Sequence, residues 1–188
     1  MQGILLAAGY GRRFDPSGQT SKLLARLSDG QTVAAQAART LCAALPGSLA
    51  VIRPGQTELA AQLCEAGCQI LESSEAEAGM GSALAHAVRA TATAEGWLVA
   101  LADMPWVPVA AIRAVASAID TPNRIAAAAF DGQRGHPVAF GAHWAPQLSA
   151  LNGARGARDL LRGPDLRLID AGTADVLRDI DLPADLPR

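Results

Sequence analysis

Short apolar runs alternate with longer amphipathic segments along most of the chain. Apolar runs bounded by glycine or proline are typical of buried strands. They occur at residues 3–8, 49–52, 69–71, 97–102 and 124–130, and a further strand is expected at 137–140. Apolar residues at helical spacing predict helices between these strands, at residues 32–45, 56–66, 82–93 and 108–119.

This alternation predicts an α/β fold with a Rossmann-like, open and mostly parallel sheet that carries helices on both faces. The chain has 188 residues, so we expect a single domain spanning residues 1–188. The pattern is less regular after Trp144, where we predict a helix at residues 154–162 and a strand at 166–170. Turn-forming residues dominate residues 14–21, which predicts a mobile loop there.

Composition and charge exclude several classes of protein. Half of the residues are hydrophobic and the mean hydropathy is +0.17, which argues against disorder. The net charge of −2 argues against a nucleic-acid or membrane-surface partner, and no apolar run approaches the length of a membrane span. Three cysteines, Cys42, Cys64 and Cys68, do not form a disulfide framework. We therefore expect a cytoplasmic protein.

The loop after the first predicted strand combines glycines with basic side chains. It reads AAGYGRR at residues 7–13, and Lys22 follows. Glycine lets backbone N–H groups approach a phosphate closely, and Arg12, Arg13 and Lys22 would add positive charge. The spacing matches neither a dinucleotide-binding glycine motif nor a P-loop. It predicts an anion-binding loop, with a plain turn and solvated arginines as the alternative.

Asp103 follows the fourth predicted strand. Ligands bind at the carboxyl ends of parallel strands, so this side chain is expected near the glycine loop. At about 4 Å, a carboxylate and a phosphate charge repel by ~4 kcal/mol at an effective dielectric constant of 20. A Mg²⁺ ion between them would reverse the sign of that energy. Without a bound phosphate, Asp103 is equally explained as a helix-capping or turn residue.

Two further segments carry candidate chemistry. Arg134 and His136 could bind a second anionic group, although a histidine beside a strand is often structural. Asp179 and Asp181 alternate along an extended segment, so their side chains share one side of it. They could supply a second metal ligand or form an acidic surface tail.

Taken in order, these motifs resemble the molybdenum cofactor nucleotidyltransferase family, and among its members they are most similar to the cytidylyltransferases. The resemblance covers nearly the whole chain. It rests on LAAGYGRR at residues 6–13 with KLL at 22–24, GMGSAL at 79–84, LADMP at 101–105, RGHPV at 134–138, GARGAR at 153–158 and DID at 179–181.

The resemblance implies a fold of the nucleotidyltransferase type and transfer of CMP from CTP to the terminal phosphate of molybdopterin, with Mg²⁺ as cofactor and pyrophosphate as product. It implies delivery of the product to a molybdenum hydroxylase of the xanthine dehydrogenase class. Carried over by position, the residues form four groups. They are the catalytic set Arg12, Lys22 and Asp103; the nucleotide site Leu6, Ala7, Ala8, Gly9, Gly11, Arg12, Lys22, Gly79, Gly81 and Ser82; the pterin side Arg134 and His136; and the metal ligands Asp103 and Asp181.

Two alternatives to this activity stay open on the sequence. One is a guanylyltransferase or another NTP transferase of the same fold. The other is a non-catalytic chaperone that binds the molybdenum cofactor. Transfer to an existing phosphate oxygen requires charge neutralisation and in-line placement rather than a protein nucleophile. The absence of a Ser-His-Asp arrangement in the sequence agrees with that requirement.

Overall fold

Seven strands form one sheet in the computed structural model, which describes residues 1–186. The strands are β1 (Gln2–Leu6), β2 (Leu49–Ile52), β3 (Gln69–Glu72), β4 (Gly96–Leu101), β5 (Ile125–Phe130), β6 (Gln133–Gly141) and β7 (Leu166–Asp170). Their spatial order is β3-β2-β1-β4-β6-β5-β7. Strand β6 runs antiparallel to both of its neighbours, and every other described pair is parallel. The expected open and mostly parallel sheet is therefore confirmed.

Five α-helices connect and cover the strands within the described residues. They are α1 (Val33–Ala44), α2 (Thr57–Glu65), α3 (Met80–Ala90), α4 (Val109–Ser117) and α5 (Ala145–Ser149). Short 3-10 turns lie at Lys22–Leu24, Ser74–Ala78, Ala142–Trp144, Arg158–Arg162, Ala174–Leu177 and Pro183–Asp185. No helix within residues 1–186 is both long enough and apolar enough to cross a membrane.

The sheet separates two hydrophobic cores, because successive side chains of a strand point to opposite faces. On one face, Leu5 of β1 packs with apolar residues of α1, α2 and α4. On the other face, Ile4 and Leu6 pack with residues of α3 and α5. Strand β5 contains four consecutive alanines, Ala126–Ala129, all buried, so helices can approach it closely. This explains how a chain with few aromatic residues fills its core.

Two elements differ from the sequence prediction. The helix predicted at residues 154–162 is wrong, because only the 3-10 turn Arg158–Arg162 forms there and turns precede it. Gly156 interrupts this segment and Gly153 and Gly163 flank it, and Gly153 and Gly156 have φ of +64° and +58°. Such values end a right-handed helix. Strand β6 is longer than predicted and begins at Gln133.

Candidate active site at the switch point of the sheet

The loops after β1 and β4 leave the sheet side by side. Strand β1 lies between β2 and β4, so the chain turns in opposite directions from this position, which is where open α/β sheets bind ligands. Leu6 pairs with Leu101 at the ends of the two strands, and the backbone N–H of Ala102 donates to the Leu6 carbonyl at 3.1 Å. Residues that follow either strand therefore meet at one edge.

Lys22 returns from the first loop to the residue that follows β4. Its Nζ donates to Oδ2 of Asp103 at 2.7 Å, to the carbonyl of Ile180 at 2.9 Å and to Oδ1 of Asp181 at 3.3 Å. The Lys22 side chain is only 10% exposed, so these contacts form away from bulk solvent. Three residues named from the sequence, Lys22, Asp103 and Asp181, thus lie in direct contact.

The C-terminal segment completes this cluster. Ile180 is fully buried, and its backbone N–H donates to the Asp103 carbonyl at 2.9 Å, which fixes the segment against the β4 loop. Asp181 also forms an ion pair with Arg13 of the first loop. The sequence offered an acidic surface tail as an alternative for Asp179 and Asp181, but the segment lies against the residues that follow β1 and β4.

Three carboxylates converge here. Asp103, Asp179 and Asp181 each offer an oxygen, and these oxygens lie within 4.8 Å of one another. Burial raises the pKa of Asp179, and the charges of Asp181 and Asp103 raise it further. Carboxylate oxygens are the ligands that Mg²⁺ and Mn²⁺ prefer. The ammonium of Lys22 contacts two of these three carboxylates, which shows that they can share a positive charge. The carboxylate oxygens therefore fit a divalent cation.

The glycine loop shapes the opposite side of this edge. Gly11 has φ of +62°, and a Cβ there would lie 3.4 Å from Cγ of Lys22, so the backbone passes close to the lysine stem. Gly9 is exposed and faces open space. The loop therefore offers accessible backbone next to the buried lysine.

Tyr10 lies between two arginines. The guanidinium of Arg53 is 3.9 Å from the centre of the Tyr10 ring, and that of Arg12 is 5.0 Å from it. Sequence reasoning missed Arg53. The position of Arg53 in the sequence could have indicated it, because Arg53 is the first residue after β2, whose carboxyl end reaches the same edge of the sheet. Positive charge at this edge thus comes from a third strand as well.

The segment at residues 14–21, for which the sequence predicted a mobile loop, folds around two residues. Phe14 is buried with Leu27, Val33 and Ile180. Asp15 accepts hydrogen bonds from the hydroxyl and backbone N–H of Ser17 and from the backbone N–H of Thr20, which lower its pKa to about 2. These contacts fix the route from the glycine loop to Lys22.

The GMGS segment at the start of α3 packs against the loop that contains Gly153. The Gly81 N–H donates to the Gly153 carbonyl at 2.8 Å, and the Gly153 N–H donates to the Ser82 hydroxyl at 3.1 Å. A Cβ on Gly79 would lie 2.7 Å from the backbone of Gly153. The structure therefore gives the Ser82 hydroxyl a protein partner, and glycine is required at this contact.

We expect Gly81→Ala to lower the melting temperature by about 3–10 °C. The new Cβ would lie 2.8 Å from the carbonyl oxygen of Asn152, and such overpacking costs roughly 1–3 kcal/mol. Thermal unfolding followed by circular dichroism measures the change. Gly163→Ala is the matched control, because a Cβ at Gly163 meets nothing within 4 Å. Equal melting temperatures for the two variants would contradict the close packing of these loops.

Arg134 and His136 lie within β6, whereas the sequence placed them beside a strand expected at residues 137–140. Because β6 pairs antiparallel to β4, with Val138 opposite Val99, its first residues reach the carboxyl end of β4. Arg134 donates to the carbonyl of Leu161 at 2.9 Å. Burial lowers the pKa of His136 to about 4, although the nearby Asp103 charge opposes this shift. His136 is therefore neutral at neutral pH and adds no positive charge to the edge.

This low pKa predicts a specific loss of stability in acid. The pKa of His136 is about 4 in the folded state and about 6.5 when the chain is unfolded, so the unfolded chain binds more protons between these values. We expect the free energy of unfolding to fall by about 1–3 kcal/mol as pH drops from 6.5 to 4. Urea unfolding at several pH values measures it. His136→Gln should show a smaller fall, and an equal fall in both proteins would contradict the assignment.

Fold and site together define a class of protein, an α/β nucleotidyltransferase whose basic loop faces an acidic cluster across the switch point of the sheet. The model of the MobA-like NTP transferase domain matches residues 3–171. The chain belongs to this family and is a nucleotidyltransferase. No curated protein matches the sequence.

Solved structures show the same fold. A nucleotidyl transferase from Methanothermobacter thermautotrophicus is 22% identical with a TM-score of 0.82, over 98% of this chain and 93% of that one. Rv0371C from Mycobacterium tuberculosis, in complex with manganese, is 21% identical with a TM-score of 0.70, over 100% and 92%. The inositol-1-phosphate CTP transferase from T. maritima is 14% identical with a TM-score of 0.70, over 99% and 91%.

Proposed function

We propose that the protein transfers CMP from CTP to the terminal phosphate of molybdopterin and releases pyrophosphate. The observation that carries this proposal is the contact of Lys22 with Asp103 and Asp181 at the switch point, beside the glycine loop. Binding a triphosphate requires positive charge from basic side chains and from a divalent ion. This edge of the sheet offers basic side chains for the first and carboxylates that could hold the second. The choice of cytidine and of molybdopterin rests on the resemblance of the ordered motifs.

The reaction requires no protein nucleophile. An oxygen of the acceptor's terminal phosphate forms a bond to the α-phosphorus of CTP, while the bond from that phosphorus to the β-phosphate oxygen breaks. Pyrophosphate leaves with the bonding electrons. The protein therefore has to hold both substrates in line and offset the charge that develops on the phosphate oxygens.

The residues divide this work by position. The backbone of Leu6, Ala7, Ala8 and Gly9, together with Gly11, would hold the nucleotide, and Gly79, Gly81 and Ser82 would lie near its base and ribose. Arg12 and Lys22 would offset the charge of the phosphates, and Arg134 and His136 would face the pterin. A divalent cation held by Asp103 and Asp181, with Asp179 beside them, would neutralise further charge on the triphosphate.

Two comparisons support parts of this assignment. One protein of this fold was solved in complex with manganese, which supports a divalent cation as the cofactor, with Mg²⁺ as the proposed ion here. Another is an inositol-1-phosphate CTP transferase, so the fold can serve CTP with a different acceptor. The substrates proposed here are therefore decided by experiment rather than by the fold.

We place the whole activity in one domain, residues 1–188, acting in the cytoplasm on small molecules rather than on nucleic acid or a membrane. The product would pass to a molybdenum hydroxylase of the xanthine dehydrogenase class. The net charge of −2 fits small-molecule substrates bound by a local group of cations.

A pyrophosphate-release assay with ATP, GTP, CTP or UTP, each with and without molybdopterin and with Mg²⁺ present, tests the proposal. We expect release only with CTP and molybdopterin together. Preferential release with GTP would make the protein a guanylyltransferase instead. Binding of molybdopterin without release from any nucleotide would favour a non-catalytic chaperone and overturn the proposed activity.

A further inference from the structure

Lys22 lies against the acidic cluster formed by Asp103, Asp179 and Asp181. Its ammonium contacts two carboxylates and a carbonyl, and its side chain is 10% exposed. It is also the only lysine in the chain, which otherwise carries 15 arginines among its 16 basic residues. A compact ammonium on a flexible four-carbon stem can change partners more readily than a planar guanidinium.

We propose that Lys22 is an internal counter-ion of the acidic cluster, and that entry of a divalent cation displaces its ammonium from Asp103 and Asp181. The released ammonium then binds the triphosphate. This inference rests on the proposed function, because it takes a metal-bound nucleoside triphosphate as the anion that receives Lys22.

The charges of the acidic cluster and of the cations beside it favour this exchange. Three carboxylates lie within 4.8 Å of one another, so their mutual repulsion is strong unless a cation lies among them. Lys22 supplies one such charge and Arg13 supplies a second through Asp181. A divalent cation on the same oxygens would repel the ammonium at short range. The two cations therefore compete for Asp103 and Asp181 rather than bind them together.

The exchange also explains how Lys22 can serve the site both before and after substrate binds. Before substrate binds, Lys22 offsets part of the negative charge of the cluster and holds the C-terminal segment through the Ile180 carbonyl. Gly11 lies beside the lysine stem, because a Cβ there would be 3.4 Å from Cγ of Lys22. The glycine loop, where a phosphate would lie, is therefore next to the stem that would turn towards it.

Binding of Mn²⁺ to the nucleotide-free protein, measured by electron paramagnetic resonance of the free ion, tests this competition. We expect Lys22→Met to bind Mn²⁺ at least about tenfold more tightly than the unmodified protein, because its competitor is removed. Lys22→Arg keeps the charge and should stay near the unmodified affinity. Arg26→Met removes one positive charge from an exposed residue whose guanidinium donates to the Gly30 carbonyl, and should change the affinity by less than about twofold.

A second measurement covers the case in which Lys22→Met is unstable without metal. Mn²⁺ should raise the melting temperature of Lys22→Met by more than it raises that of the unmodified protein. Equal or weaker Mn²⁺ binding by Lys22→Met, or no binding by either protein, would overturn the exchange. The proposed CMP transfer would still stand if the unmodified protein released pyrophosphate from CTP, so the two failures are distinguishable.

Discussion

Asp103→Asn should lower kcat at least about a thousandfold while the protein still folds. The substitution keeps the shape of the side chain and a hydrogen-bond acceptor for Lys22, but it removes one of the charges that would hold a divalent cation. Loss of metal-based charge neutralisation in phosphoryl transfer costs several kcal/mol of transition-state stabilisation. Initial rates of pyrophosphate release at saturating CTP and molybdopterin measure the effect.

The control for this prediction is Asp120→Asn. Asp120 is exposed and pairs with Arg124, four residues further along the chain and just before β5, whereas the acidic cluster lies at the opposite, carboxyl ends of the strands. It should retain full activity and its melting temperature. Near-normal Mg²⁺-dependent transfer by Asp103→Asn would refute the metal role of Asp103, whereas loss of folding shown by circular dichroism would require the assay to be repeated at lower temperature.

The central parallel strands were predictable because each of β1, β2 and β4 contains a short apolar run bounded by glycine or polar residues. The strands β1, β2 and β4 were placed within two residues of their observed ends for this reason. Strand β6 was harder, since its first half contains Arg134 and His136, which resemble loop residues. Pairing with both β4 and β5 makes this segment a strand. The local sequence does not show which distant segments will pair.

The C-terminal region was difficult to predict for the same reason, because its structure depends on contacts with distant residues. Its residues gain their structure from contacts made across more than 70 positions, such as the bond from Ile180 to Asp103. A Cβ on Gly135 would lie 2.0 Å from the Val176 carbonyl, so β6 and the turn at Ala174–Leu177 can approach only because glycine is present. Local propensity carries no information on such contacts, and residues 154–162 were accordingly predicted as a helix.

The candidate site was more predictable than these connections. Glycines and cations after one strand, and an acid after a neighbouring strand, indicate a ligand site wherever both strands are parallel. Lys22, Asp103 and Asp181 are indeed brought together. Arg53 escaped notice because it stands alone after β2, and Arg13 was named without a partner. Their partners, Tyr10 and Asp181, follow from side-chain directions that a sequence does not give.

Lys22→Met should weaken CTP binding about 30-fold to 100-fold and lower kcat/KM by about a thousandfold. Methionine keeps much of the apolar stem of Lys22 but lacks the ammonium, so charge-assisted hydrogen bonds to the triphosphate are lost. The larger effect on kcat/KM arises because negative charge on the leaving pyrophosphate increases in the transition state. Titration calorimetry with CTP and Mg²⁺, together with initial rates, separates the two effects.

The same substitution has opposite expected effects on the two ligands, and this makes its interpretation specific. A general loss of structure would weaken binding of both Mn²⁺ and CTP, and a general change of net charge would be reproduced by Arg26→Met. Only a lysine that neutralises the acids when the site is empty and the phosphates when it is filled predicts tighter metal and weaker nucleotide in one variant. An unchanged dissociation constant for CTP in Lys22→Met would therefore remove Lys22 from the phosphate site, whatever its effect on the metal.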